Sequence, residues 1–254
     1  MGTSEKAGHT FLASLGKTRL RPGGVEATEW LFSRARMTPQ HKVLEVACNM
    51  ATTAIEIAQR YGSEIYAIDM DKTALSHARD NVIREGLERQ IHVMEANANK
   101  LPFPDNSFDV VINEAMLTMY ADKAKAKLVS EYFRVLKPGG CLLTHDIMFT
   151  RNALNNREHD ALEGVVKSNV SPMSHAAWEQ LFTSAGFGQV TTHHGQMSLM
   201  SPLGLIRDEG FPRAVKIAFN GLRSVNRQRF LGMFRFFRAH RKNLNYIACC
   251  STKS

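Results

Sequence analysis

The chain lacks any run close to the roughly eighteen apolar residues that a membrane-spanning helix needs, which excludes an integral membrane bundle. Residues 1–10 lack the basic start and apolar core of a secretory signal, so export is not expected. Cysteine is scarce: Cys48, Cys141, Cys249 and Cys250 are the only four, none paired as C-x-x-C or set at metal-ligand spacing. That argues against a zinc ribbon or a disulfide framework and points to reduced thiols in a cytoplasmic protein. Internal repeats and low-complexity linkers are missing as well.

What is present is ordinary for a globular chain. Residues are 44% hydrophobic and 22% charged, and a length of 254 can bury a large core, as one α/β domain with insertions or as two small domains. The charge is unevenly placed. The whole net +8 sits in residues 207–242, with ten Lys/Arg against two Asp/Glu, while the remainder holds 22 of each sign.

The stretch Val43-Leu44-Glu45-Val46-Ala47-Cys48-Asn49-Met50-Ala51-Thr52-Thr53 organises the rest. A short apolar run stops at small and polar residues, and a helical pattern (Ala54-Ile55-Glu56-Ile57-Ala58) follows at once. That reads as strand, tight loop and helix N-terminus, the first unit of a βαβ crossover. Such a loop lies at the carboxyl end of a strand, where open α/β sheets bind ligands. The next strand, Ile65-Tyr66-Ala67-Ile68-Asp69, ends in an acid that can accept hydrogen bonds from both hydroxyls of a ribose, so the pair suggests a nucleoside site. Alternation continues: helix 71–85, strand 91–95, strand 108–113, helix 122–136, a Lys137-Pro138-Gly139-Gly140 turn and strand 141–146. A helix is expected over 25–36 after the turn Arg21-Pro22-Gly23-Gly24, another over 174–186, a strand within 188–200 and a last one over 245–250. The economical fold is a parallel sheet flanked by helices.

These motifs resemble the opening of the class I S-adenosylmethionine-dependent methyltransferases, whose loop usually reads Glu/Asp-x-Gly-x-Gly-x-Gly. Here the glycine positions hold Ala47, Asn49 and Ala51; Asn tolerates the left-handed region, and Ala51 adds a methyl group where close approach is expected. Two further segments carry the resemblance: Ala96-Asn97-Ala98 with Leu101-Pro102-Phe103-Pro104, and Arg134-Val135-Leu136-Lys137-Pro138-Gly139-Gly140. It covers roughly residues 40–148 and is closest to the small-molecule, methyltransferase type 11-like branch. The resemblance implies a Rossmann-like, mostly parallel seven-stranded sheet of order 3-2-1-4-5-7-6 with the last strand antiparallel. It also implies one domain over 1–254: an N-terminal helical cap (1–36), a cofactor-binding core (40–148) and helical insertions (151–186 and 202–242) over the active face as an acceptor lid.

The implied cofactor is S-adenosyl-L-methionine, with Asp69 on the ribose, Met70 against the adenine face, Asn97 and Ala98 at the ring, and Glu45, Ala47, Asn49 and Asn113 around the loop and the methionine end. A thioether packs well on an aromatic face, and an amide oxygen can accept from an amine. The implied reaction is in-line methyl transfer to a small-molecule acceptor, in which the protein chiefly aligns the reactants and strips water. Glu114, Tyr120, His145 and Asp146 lie near the carboxyl ends of strands four and five, where an acceptor belongs; His145 reads as a general base that could take the acceptor's proton or, equally, as a histidine hydrogen-bonded to structure. His193-His194 lack a third ligand, so no metal is expected.

The basic segment interleaves Phe230, Leu231, Phe234 and Phe237 with Arg227, Arg235, Arg238 and Arg241. It reads as a solvated amphipathic helix, as a lid for an acidic acceptor, or as a membrane-surface contact. No recognised RNA-binding module accompanies it, and nucleic acid is not the expected partner. A nicotinamide dehydrogenase would want G-x-G-x-x-G, and this loop has no glycine. The competing function is a non-catalytic protein that holds adenosylmethionine or adenosylhomocysteine and acts through a partner. Oligomeric state is not legible.

Overall fold

In this computed structural model, residues 7–150 and 156–254 are described. The first parallel strand, β1 (Lys42–Val46), pairs with β2 (Glu64–Asp69) on one side and β4 (Phe108–Glu114) on the other. Beyond these lie β3 (Ile91–Glu95) and β5 (Leu136–Phe149). The order is β3-β2-β1-β4-β5-β8-β7, with β8 (Leu244–Lys253) antiparallel to both β5 and β7 (Phe187–Gln196). This is the expected topology with one addition. A two-residue strand, β6 (Met173–Ser174), pairs with the end of β5 and shifts the numbering of the last two. Two residues carry no periodicity, which is why the sequence shows no sign of it.

Both faces of the sheet are covered, and the alternation along each strand shows how. Val43, Ile65, Val110 and Leu143 point to one layer and meet Leu31 and Phe32 of α2 (Gly24–Ala35), Ile57 of α3 (Thr52–Tyr61), and Leu75 and Val82 of α4 (Lys72–Arg84). Their neighbours Leu44, Ile68, Val111 and Leu142 meet Leu128 and Tyr132 of α5 (Asp122–Val135) and Trp178 and Phe182 of α7 (His175–Ser184). In α5 the buried positions 128, 129, 132 and 135 recur at helical spacing, so one face is core and the other solvent. Truncating a core side chain such as Leu128 would cost about 2–5 kcal/mol.

Two local readings change. Residues 137–140 are not a turn before the strand but part of β5: Phe108 pairs with Leu136 and Val110 with Cys141, so the tetrapeptide bulges out opposite the single residue Asp109. Lys137 Nζ pins the bulge to both Asp109 carboxylate oxygens at 2.8 Å. The polar N-terminal segment also holds a helix, α1 (Gly8–Ser14), whose Phe11 and Leu12, with Leu15 just beyond, pack on α8 (Pro202–Glu209), α9 (Phe211–Leu222) and α10 (Ser224–Ala239) in a third apolar cluster. A fourth cluster joins Phe236 and Phe237 of α10 to Met119, Phe149 and Leu162, the last on α6 (Asn156–Val166). Residues 151–155 of the expected insertion and 1–6 of the expected cap lie outside the described residues.

Candidate functional site

Register brings the carboxyl ends of the strands together: Val46 lies beside Ile68 and Asn113, Asn113 beside Thr144, and Glu114 beside His145. The loop after β1 does what a glycine loop does without any glycine. Ala47, Asn49 and Ala51 all take left-handed backbone angles, with φ of 56°, 48° and 56°. Ala51, where a methyl group is expected to obstruct close approach, is fully buried among Cys48, Ala54 and the sheet, so its side chain packs in the core. The thiol of Cys48 is buried too, which pushes it well above its ordinary value.

Asp69 closes this loop. Its Oδ2 accepts from Asn49 N at 2.9 Å, and its Oδ1 accepts from Met70 N at 2.7 Å and Asp71 N at 2.9 Å. Asp71 in turn caps α4 by accepting from Thr73 N and Ala74 N. Met70 stands exposed beside it. The backbone of Ala96 donates to Asp69 O at 3.1 Å, which draws the Asn97–Ala98 loop to the same rim. There Asn97 is exposed, with its Oδ1 folded onto Asn99 N, and Ala98 is buried.

The other end of the cleft is a buried ionic network. Glu114 accepts from Arg21 at 2.9 and 3.0 Å, from Thr53 Oγ1 at 2.6 Å and from Thr28 Oγ1 at 3.2 Å. Burial would raise its carboxyl, but the Arg21 charge and the hydrogen bonds from His145 and Thr53 outweigh that and hold it well below the usual carboxylate range. Glu45, whose Oε2 accepts from Ala54 N at 3.0 Å at the start of α3, makes no salt bridge among the described residues. Burial, and then the Glu114 charge, push it up to about 8. Asn113 Oδ1 accepts from Thr144 Oγ1 at 2.9 Å; among the described residues its buried Nδ2 has no hydrogen-bond partner, and one terminal nitrogen of Arg21 is likewise buried without a hydrogen bond. Unpaired buried donors cost about 1–3 kcal/mol each. The Arg21 nitrogen lies 3.7 Å from Glu56 Oε2, an ion pair without a hydrogen bond, so it and Asn113 Nδ2 each keep a donor that a carboxylate or carbonyl of a ligand could take.

His145 does not stand free as a base. Gly23 N donates to its Nε2 at 2.8 Å, so the proton is on Nδ1, which donates to Glu114 Oε1 at 3.2 Å; the ring is fully buried. Both nitrogens are used, which leaves no lone pair for an acceptor's proton. Glu114 is also saturated by its donors. Asp146 is buried, accepting from Thr118 N and Ile147 N. Tyr120, after the short 3-10 turn Leu117–Met119, is half-buried, and among the described residues its hydroxyl makes no hydrogen bond. Sequence reasoning missed Arg21, Thr28 and Thr53. The Arg-Pro-Gly-Gly turn was the available signal: a Cβ at Gly23 would lie 2.6 Å from the Tyr246 ring, and Gly24, with φ of +59°, would drive a Cβ into the Asp208 carboxylate. His193 stacks on Trp30 and His194 lies edge-on to His175. On α6, His159, Asp160 and Glu163 hold ligand-type atoms within 4.8 Å of one another, on a partly exposed surface.

A doubly covered parallel sheet with a strained loop, a strand-end acid and an adjoining buried donor set defines a nucleoside-cofactor protein of the Rossmann-like class. A methyltransferase-domain family profile matches residues 43–140. An uncharacterised protein of Haemophilus influenzae is 48% identical over 252 residues, covering 98% of this chain and 99% of that one. Methyltransferase GfsG of Streptomyces halstedii is 34% identical over 146 residues, 57% of this chain and 51% of that one, so this chain spans about half of that relative's length. The fold matches that of a Haemonchus contortus phosphoethanolamine N-methyltransferase 2 in complex with phosphomonomethylethanolamine and S-adenosylhomocysteine, with a TM-score of 0.76, 18% identity, and coverage of 97% of this chain and 57% of that one. Residues 43–140 thus carry a methyltransferase domain, on the fold of class I S-adenosylmethionine-dependent methyltransferases, and S-adenosylmethionine is the cofactor of that family.

Proposed function

We propose that the protein transfers a methyl group from S-adenosylmethionine to a small-molecule acceptor that carries an acidic group. The observation that carries the reading is the loop: Ala47, Asn49 and Ala51 take the left-handed turns of the family's three glycines, and the loop is tied to Asp69. When bound, the cofactor supplies an electrophilic methyl group on a sulfonium. Asp69 would hold the ribose hydroxyls, Met70 and Ala98 the adenine faces, and Asn97 the exocyclic amine after leaving Asn99. The hydrogen-bond donors left over on Asn113 and Arg21 suit the methionine carboxylate, with Glu45 near the amino group.

His145 and Glu114 act as positioning residues in this reading: they lock Arg21 and the 21–24 turn over the cleft. The acceptor's nucleophile then needs alignment and dry surroundings more than a protein base. Of the four residues expected at the acceptor, Tyr120 keeps a free hydroxyl to orient it. The lid is 202–242 with α6, and its cations suit carboxylate or phosphate through bidentate pairing by Arg.

A radiolabel transfer assay against acceptors sorted by charge tests this, with Arg235 and Arg238 replaced singly by Gln. The expected outcome is transfer favouring anionic acceptors, with kcat/KM lowered in at least one variant while cofactor affinity holds. Wild-type behaviour of both at low salt, where surface charges are least screened, overturns the lid. Tight binding of both cofactor forms with no transfer to any acceptor moves the reading to a binding protein.

A further inference from the structure

The helices of residues 202–239 have an outer face that methyl transfer does not use. On α9 the inward residues Ala214, Ile217 and Gly221 are buried. The outward stripe Phe211, Val215, Phe219 and Leu222 is apolar too, at i, i+4, i+8 and i+11, and it is bare: Phe211 is 66% and Phe219 69% exposed. Leu203 of α8 and Val225 of α10, both over 80% exposed, extend it at either end. A groove of about 310 Å³ runs beneath the stripe between α8, α9 and α10, lined almost wholly by carbon, with Ile206, Phe211 and Val215 at its rim and Phe230 and Phe234 at its floor. A soluble surface rarely leaves so much contiguous apolar area uncovered.

The charges around it say what covers it. Lys216, Arg223 and Arg227 are exposed beside the stripe, and none has an ion pair among the described residues. They belong to the segment that carries the protein's entire +8. A second copy would bring the same surplus face to face and be repelled. An aliphatic and phenyl stripe edged by unpaired cations is the pattern of a helix that lies in the headgroup layer of a negatively charged bilayer. Among the described residues no helix is long and apolar enough to cross a membrane, so contact is with the surface.

We propose that the exposed face of α8–α10 docks the protein on an anionic lipid bilayer, with Phe211, Val215, Phe219 and Leu222 entering the acyl boundary and Lys216, Arg223 and Arg227 meeting phosphate headgroups. The docking is independent of the methyl-transfer reading, and either can fail alone. The test is co-sedimentation of the full chain with vesicles of phosphatidylcholine alone and of phosphatidylcholine with one third phosphatidylglycerol. The expected result is pelleting with the anionic vesicles only, weakened by added salt. The double variant Phe211→Ser/Phe219→Ser should bind at least tenfold more weakly, and Lys216→Gln/Arg223→Gln/Arg227→Gln should lose the anionic preference. All changed side chains are solvent-facing, and unaltered adenosylmethionine affinity and circular dichroism certify the fold. Wild-type protein that stays in the supernatant with anionic vesicles overturns the proposal. So does vesicle binding that the phenylalanine variant leaves unchanged, or a dimer that the same variant dissolves in the absence of any vesicle binding.

Discussion

Ala47 and Ala51 hold left-handed backbone angles that cost an L-residue about 1–2 kcal/mol each. Glycine would remove that cost but regain about 0.4–1 kcal/mol of freedom in the unfolded chain. The net effect of Ala47→Gly is thus a gain of about 0.5–1 kcal/mol. Ala51→Gly also forfeits a buried methyl group, worth about 0.8 kcal/mol, and should come out near zero in stability with cofactor binding equal or tighter. Urea unfolding of the two variants separates them, and an equal response would place the Ala51 side chain outside the core. Glu45 gives a pH-dependent expectation. Its folded-state pKa is raised to about 8, above that of the unfolded chain, so between the two values the native state binds the extra proton and stability falls as pH rises. Glu114 has the opposite sign: its depressed carboxyl contributes stability that is lost as pH drops below the ordinary carboxylate range. Glu45→Gln should therefore match wild type near pH 5 and exceed it near pH 8; parallel curves would show that Glu45 is ionised throughout.

The 21–24 turn is the element on which the site closes. Gly23 gives its N–H to His145, 122 residues away, and its missing Cβ admits the Tyr246 ring. Gly23→Ala should destabilise by about 1–3 kcal/mol through overpacking and weaken cofactor binding by loosening Arg21, measured as a lower urea midpoint and a weaker calorimetric affinity. An unchanged midpoint would mean that the turn is not docked. This element also marks how far the sequence reads. Strand β1, its loop, β2 and Asp69 are legible because each signal is local: an apolar run, a break, a helical period, a terminal acid. The doubly buried strands follow from short continuous apolar runs bounded by polar or turn residues, and α5 from its helical period. The partners of His145 and Glu114 are not legible, because Arg21, Thr28 and Thr53 come from segments distant in sequence and their roles arise only where the chain folds back. The 137–140 bulge was read as a free turn for the same reason: its Pro-Gly-Gly chemistry is right for a turn, and only the pairing of Phe108 with Leu136 encloses it in the sheet.

At the scale of the whole molecule, charge and topology divide the protein. The sheet and its two helical layers are electrically balanced and build the cofactor cleft, while the cationic segment and α1 form a separate apolar cluster beside it. The N-terminal strand of contacts joins the halves: Lys17 lies 3.8 and 3.6 Å from Asp208 and Glu209, Arg19 reaches Glu56, and Arg21 reaches Glu114. Burial lowers the Lys17 ammonium below its ordinary value despite those two acids. Ion pairs of residues 17–21 thus join the cationic segment to the proposed cofactor cleft. In the function proposed above, this glycine-free cleft holds S-adenosylmethionine through Asp69. Isothermal titration of S-adenosylmethionine into wild type and Asp69→Ala tests it most directly. One saturable site in the wild type, weakened by about 1–3 kcal/mol in the folded variant, is the expected result. No heat of binding in the wild type, or equal affinity in the two proteins, would contradict it.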